Sequence, residues 1–501
     1  MDANLYSQFL FERKEKPLLL LDDDRQLTYE AVDKKAAQYC HFFVKAGLKP
    51  GDKVIQQTEK SPDALCVYLA ALRSGLIYIP LNLAFQADEV AYFVDDAAPA
   101  LFICSPNKER MVARIIAQST HQVAIETLSQ DGNGSIQEKT SALKTSFETV
   151  ERCQSDIACI LYTSGTTGKP KGAMLSHKNL LVNAQALKNI WGFSENDTLL
   201  HMLPIFHCHG LFFACHSVML SGASMIFLPK FDVDLAIKHL PNSTVLMGVP
   251  TYYTRLLSDV RFTRSLAQDT RLFISGSAPL LEKTFYAFEK KIGQRILERY
   301  GMTETGINTS NALKGDRIPG TVGLPLPLSS MRIVDDHDRV VESLKIGHIQ
   351  VSGENVFCGY WRKEAQNKQS FTSDGFFRTG DLGQQAESGY ISIVGRAKDI
   401  VITGGLNVYP KEVESVINKL EGIKESAVVG VPHPDFGEAV IAVVIEKEGV
   451  SLRAQDVILK LKQNIADYKV PKHVLFIKSL PRNAMGKVQK NTLRDTCKHL
   501  F

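Results

Sequence analysis

The chain has 501 residues, 44% of them hydrophobic and 22% charged, enough apolar material for more than one large core. Its 58 basic and 54 acidic side chains leave a formal net charge of +4. Spread over this length, that gives no support for a nucleic-acid binder, whose basic charge concentrates on one face, while still allowing a local site for an anion. Nine cysteines, an odd number at scattered spacing and without a CxxC pair, read as free thiols of a reducing compartment. No stretch reaches the ~18 apolar residues of a membrane span, and the first residues lack the apolar run of a secretory signal. A cytoplasmic protein is expected, or a mitochondrial one if a transit peptide has been removed.

In chain order, apolar residues at helical spacing from Tyr29 to Ala46 predict a helix, and Lys53–Gln57 a strand. Ala64–Gly75 and Ile77–Leu81 repeat the alternation. Residues 129–149, rich in Ser, Thr, Gly and Lys, read as a surface excursion. Short apolar runs at Ile157–Leu161, Ala223–Leu228, Thr244–Gly248 and Leu272–Ser275 have the continuous character of parallel strands buried on both faces. Beyond about residue 320 the runs shorten and turn β-rich: Met331–Val334, His348–Ser352 and Tyr390–Val394. From Gly395 a last block reads as strands and helices in the order β-α-β-β-α-β, the size of a small α+β domain. The division expected is residues 1–394, a connecting segment 395–399, and 400–501.

The strongest chemical signal is the run Leu161-Tyr-Thr-Ser-Gly-Thr-Thr-Gly-Lys-Pro-Lys-Gly172. It follows an apolar strand, and its glycines and hydroxyls can turn N–H and O–H groups toward one anion, with Lys169 and Lys171 adding charge. A GxxxxGK[ST] arrangement is absent, so this is not a Walker A loop. Without that ordered mix of glycine, hydroxyl and lysine, a flexible surface loop would be the better reading.

The run resembles the phosphate-binding signature of the acyl-adenylate-forming superfamily. Four further motifs follow in the order that family shows: Tyr300-Gly-Met-Thr-Glu-Thr305, Thr379-Gly-Asp381, Gly395-Arg-Ala-Lys-Asp399 and Pro481-Arg-Asn-Ala-Met-Gly-Lys487. The resemblance implies a large N-terminal α/β domain of parallel sheets plus a distorted β-barrel, followed by a small mobile α+β domain. It also implies ATP-dependent joining of a carboxylate to CoA through an acyl-adenylate, with release of AMP and pyrophosphate.

The resemblance assigns ATP to Thr163, Ser164, Gly165, Thr166, Thr167, Gly168 and Lys171, and to the turn Gly276, Ser277 and Ala278. It adds the run Glu298, Arg299, Tyr300, Gly301, Met302 and Thr303. Asp381 and Arg396 would take the ribose and Tyr300 would stack on adenine. Glu304 and Thr163 would hold Mg²⁺, a hard cation that takes oxygen ligands. Lys487 would lie between the incoming carboxylate and the α-phosphate, lowering the repulsion of two anions. His207 would gate the reacting carboxylate. Lys398 would be the hinge, and Gly404 and Gly405 would line the path of the CoA thiol.

Several stretches, among them Phe227-Leu-Pro-Lys-Phe-Asp232 and Gly405-Leu-Asn-Val-Tyr-Pro-Lys411, are similar to malonyl-CoA synthetases, which take malonate and often methylmalonate. A second carboxylate would need a cation or strong donors. Arg255, His209 and Ser277 are the expected set, although spacing alone favours Arg255 facing solvent or pairing with a nearby acid. Cys208 stands where a small hydroxyl residue is expected. Two alternatives remain: a ligase for another short or medium acid, and an enzyme that loads a carrier-protein thiol.

Overall fold

The computed structural model describes residues 3–163, 170–327, 329–483 and 486–501. Two largely parallel sheets form the bulk of the chain. The nine-stranded sheet runs in the order Leu324–Pro325, Gly306–Ser310, Leu297–Met302, Leu272–Ser275, Val245–Gly248, Thr198–His201, Ser224–Phe227, Pro17–Leu20, Gln26–Thr28. Its interior pairs are parallel and its outermost pairs antiparallel. The six-stranded sheet runs Ala124–Thr127, Leu101–Cys104, Lys53–Gln57, Ile77–Pro80, Ile157–Thr163, Lys171–Ser176, and only its last pair is antiparallel.

A shared apolar core joins the two sheets. The helix Pro62–Arg73 lies within it and is buried from Ala64 through Arg73. That explains why its sequence is apolar on every side rather than striped. The predicted helices and strands all appear, with ends displaced by a few residues. The 129–149 excursion adds a short helix, Ser135–Thr140, anchored by buried Ile136.

The expected distorted barrel takes the form of a four-stranded antiparallel sheet: Ser329–Val334, Gly347–Gly353, Phe377–Gln385, Ile391–Arg396. From Val401 a smaller α+β domain follows, built on the long hairpin Ile423–His433 and Gly437–Glu446 with its own core. It ends in a helix, Lys490–Cys497, that the sequence reading did not include.

One buried carboxylate ties the entry points of three neighbouring parallel strands. Asp197 accepts from Arg271 Nε at 2.8 Å, Arg271 Nη2 at 2.9 Å, Thr244 Oγ1 at 2.7 Å and Ser194 N at 2.8 Å. Burial alone would raise its pKa, but these donors hold it below the usual carboxylate value. Arg271→Ala should therefore cost about 2–3 kcal/mol of stability, because a buried charge loses two donors. A carboxylate with a depressed folded pKa stabilises above its unfolded pKa and loses that contribution as pH falls through the folded value. Denaturant midpoints of wild type and variant should differ most at neutral pH and converge on acidification below about pH 4.

Candidate active site

The motifs converge where the ends of the two sheets face the small domain. On one side, Asp381 and Arg396 are direct partners across adjacent strands. Asp381 Oδ1 accepts from Arg396 Nε at 2.7 Å, and Oδ2 accepts from the Tyr300 hydroxyl at 2.6 Å. Each oxygen retains a lone pair, so the carboxylate is held rigidly and can still receive two hydroxyls. Gly301 is required by packing: a Cβ there would sit 2.2 Å from the Gly306 carbonyl in the hairpin that follows. Met302 and Thr303 continue this strand end and are half-buried.

Glu304 is buried beside the phosphate-loop strand. Its Oε1 accepts from the Tyr360 hydroxyl at 2.9 Å and, more loosely, from Thr163 Oγ1 at 3.4 Å. Burial raises its pKa. Lys171 is paired with Thr163 across the two strands and lies 5.1 Å over the Tyr360 ring. A dry carboxylate with neutral oxygen donors fits a hard cation that arrives with its own waters and phosphates. Tyr360 was not foreseen, since nothing local in the sequence links it to Glu304. Ser164, Gly165, Thr166, Thr167, Gly168 and Lys169 lie outside the described residues.

The acyl side is built around a π-helical stretch, His209–Cys215. His209 is fully buried, and its Nδ1 lies 3.2 Å from Ser277 Oγ. Its Nε2 has no hydrogen-bond partner among the described residues. Ser277 sits in the left-handed region, φ 69°, which costs a non-glycine residue energy and places its hydroxyl toward His209. The turn is pinned from behind, where Glu298 Oε1 accepts from Leu280 N at 3.1 Å. Burial pushes the Glu298 carboxyl up to about 7. Ala278, on the same turn, is half-buried.

Arg299 changes the expected assignment. It is 4% exposed, and a Cβ on Gly276 would fall 2.3–2.6 Å from its guanidinium. Its Nε and Nη2 have no hydrogen-bond partner among the described residues. Burial lowers its pKa to about 10, which leaves it charged at neutral pH. Its charge, after burial, is the next influence lowering His207 and His209, and His207 falls to about 4. Both imidazoles are therefore neutral.

Arg255, the cation expected in this chamber, is instead exposed on the helix Pro250–Ser258, 6.0 Å from the Phe231 ring. The reason is helical phase: Tyr253 and Leu256 take the inward face. The resemblance had included Arg299 with Tyr300 in the run expected at ATP. Alternation along a strand sends the two neighbours to opposite faces.

Cys208 is buried between His207 Nδ1, 3.5 Å away, and Thr303 Oγ1, 3.9 Å away, and its thiol is pushed up to about 11 by burial.

The small domain contributes Lys487. Its loop turns at Gly486, φ 72°, and comes close to Thr251. The Lys487 side chain is exposed in part, yet desolvation lowers its pKa, with Arg396 and then Asp381 the next influences, and His207 also feels its charge. Lys398, in the turn Ala397–Asp399, is adjacent to an ion pair of Asp399 with Arg494 at 2.5 Å. Gly404 and Gly405, φ 57° and 78°, form the two-residue turn of the hairpin Val401–Thr403 and Leu406–Val408. This hairpin packs on Phe436 and leaves Ile402 and Leu406 exposed.

Gly276→Ala tests the packing of the chamber. The added methyl must displace the Arg299 guanidinium, so the KM for the acid should rise about tenfold or more, while the KM for ATP changes much less. Equal changes in both would show that the methyl disturbs the whole turn.

The chain matches the model for "AMP-binding enzyme" over residues 9–361 and that for "AMP-binding enzyme C-terminal domain" over residues 412–487. ATP-bound MatB from Rhodopseudomonas palustris is 47% identical and superposes with a TM-score of 0.98, covering 100% of both chains. The apo form of that protein superposes with a TM-score of 0.85 at the same identity and coverage. A malonate–CoA ligase of Arabidopsis thaliana is 34% identical over 84% of this chain and 74% of its own length. The chain belongs to the AMP-binding enzyme family and is an ATP-dependent, acyl-adenylate-forming acid–thiol ligase.

Proposed function

We propose that this enzyme joins malonate to CoA, with Arg299 receiving the carboxylate that does not react. The observation that carries this reading is a charged guanidinium, almost wholly buried, with two nitrogens lacking hydrogen-bond partners among the described residues. A pocket for a monocarboxylic acid has no use for such a group and would bear its desolvation cost unrelieved. A second carboxylate would accept from Nε and Nη2 in the paired geometry guanidinium favours. His209 Nε2 stands beside it as a further donor, in the tautomer whose bare Nδ1 accepts from Ser277 Oγ. The malonate–CoA ligases among the relatives support the same choice.

In this reading the near carboxylate attacks the α-phosphorus of ATP, a bond forms from its oxygen to phosphorus, and pyrophosphate leaves. Lys487 stabilises the charge that gathers between the two anions. Asp381, Arg396 and Tyr300 orient the nucleoside. Glu304 and Thr163 would hold Mg²⁺, which neutralises phosphate charge when bound. His207, neutral at physiological pH, shields the reacting carboxylate without adding a charge of its own. The small domain then turns about residues 395–399 at Lys398, withdrawing Lys487 and bringing in the hairpin at Gly404 and Gly405. CoA sulfur attacks the acyl carbon there and AMP departs. The better superposition on ATP-bound than on apo MatB supports the first of these two orientations for the present structure.

The test is pyrophosphate release over a panel of mono- and dicarboxylates, with and without CoA. Malonate should lead the panel. In Arg299→Gln its catalytic efficiency should fall by about one to two decades, the loss of charge-assisted hydrogen bonds, while butyrate falls far less. If butyrate and malonate fall together, the pocket does not read a second carboxylate.

Lys487→Ala should abolish adenylate formation from ATP. It should leave thioester formation from supplied malonyl-adenylate and CoA largely intact, measured in separate half-reactions. Loss of both half-reactions would contradict the proposed division of labour.

A further inference from the structure

Lys60 is buried, 8% exposed, yet no carboxylate among the described residues pairs with it. Its Nζ lies 2.7 Å from His201 Nδ1, 2.9 Å from the His201 carbonyl and 4.2 Å from the Phe227 ring centroid. His201 is itself 1% exposed, and its Nε2 lies 2.8 Å from the Gly210 carbonyl. Lys60 follows the strand Lys53–Gln57 of the six-stranded sheet, whereas His201 ends a strand of the nine-stranded sheet. Gly210 is the second residue of the π-helical stretch that begins with His209.

The protonation pattern follows from the acceptor at the far end. A carbonyl accepts only, so Nε2 must carry hydrogen. The neutral ring then has a bare Nδ1, which accepts from the lysine. Charged or neutral, the lysine has an N–H to give to Nδ1, whereas a doubly protonated ring would place a second cation in this buried pair. Burial lowers the pKa of His201, in agreement with this state. Cys215 Sγ, 3.4 Å from Nε2, closes the same ring of contacts from one turn further along.

We propose that Lys60 is a positioning residue for acid selection: it fixes the Nε2–H form of His201, which anchors the Gly210 carbonyl and thereby the start of the π-helical stretch and the place of His209. The consequence reaches the acid chamber through one covalent step, because His209 and Gly210 are neighbours. Gly210 also cannot shift toward the preceding loop, since even a Cβ there would meet the Pro204 carbonyl at 2.2 Å. Anchor and obstacle together leave His209 a single place opposite Ser277. This proposal rests on malonate being the acid for its kinetic test, but its spectroscopic test does not.

The first measurement is the imidazole ¹⁵N signature of His201 in wild type and in Lys60→Met, a neutral replacement of similar length. Wild type should show a single Nε2–H form across neutral pH. Lys60→Met should show mixed tautomers or an altered ring environment. An unchanged signature in a folded Lys60→Met variant overturns the proposal, whatever the substrate is.

The second measurement compares acids. Lys60→Met should raise the KM for malonate by about tenfold, the scale of one or two lost hydrogen bonds, with the KM for ATP little changed. His201→Gln, whose amide oxygen can accept from Lys60 and whose NH₂ can donate to Gly210, should recover much of the activity that His201→Leu loses. Equal behaviour of the Gln and Leu variants, or equal loss for malonate and ATP, would reduce the pair to a packing element. Failure of malonate as a wild-type substrate would refute the functional reading above and leave the tautomer result standing.

Discussion

A guanidinium out of water, with two nitrogens unmatched among the described residues, is costly to hold, and much of the proposed acyl chamber is organised around holding it. Gly276 has no side chain because the guanidinium occupies that space. Ser277 accepts a left-handed backbone so that its hydroxyl meets His209. The Phe213 ring lies 5.4 Å from the charge and supplies a π face where a carboxylate would have quenched it. Burial keeps both neighbouring imidazoles neutral, so they add donors without adding repulsion. Strain and desolvation are tolerated at functional sites when the surroundings over-determine them. Here Glu298, behind the turn, is part of that over-determination.

The small domain is attached on a different principle. Its contacts with the large domain are polar and scattered: Lys411 donates to the Ile393 carbonyl, Lys283 to the Lys424 carbonyl, and Lys419 approaches Glu282 at 3.9 Å. Pairs at exposed positions contribute about 0–1 kcal/mol each. A body held this way can leave and return, which suits the role proposed for Lys487. The large domain, by contrast, is welded through a core that runs across both parallel sheets.

Much of this was legible in the sequence. The strands Lys53–Gln57 and Leu272–Ser275 were readable to the residue; Leu272–Ser275 is the short apolar run of a strand buried on both faces, and Lys53–Gln57 carries its apolar pair between polar ends. The cluster proposed for the nucleotide was also marked, since Asp381, Arg396 and Tyr300 lie in short motifs and the fold joins them. The chamber for the acid was harder. Arg255 and Arg299 are both arginines near the right segments, and what separates them is which side of a helix or strand each occupies. Periodicity could have favoured Arg299, which alternates with Tyr300 at the end of an apolar strand. Tyr360 and Lys60 act through partners 56 and 141 positions away, and no local pattern carries that information. The last helix was missed because its sequence, Lys490–Cys497, is polar on most sides and buries only Leu493 and Cys497.

Cys208 sits one residue from His207, the side chain proposed to stand beside the reacting carboxylate. An acyl-adenylate is a strong acylating agent, and a thiolate beside it would capture the acyl chain as a stable dead-end ester of the protein. Burial prevents this. With its pKa pushed up to about 11 by burial, the thiol stays protonated at neutral pH. The enzyme can therefore keep a sulfur of its own next to a reagent meant for sulfur, provided the site stays dry. Water admitted to that corner, by a smaller residue at Thr303 or by a loosened π-helical stretch, would return the thiol toward its ordinary acidity and turn the catalyst into a suicide substrate of its own product.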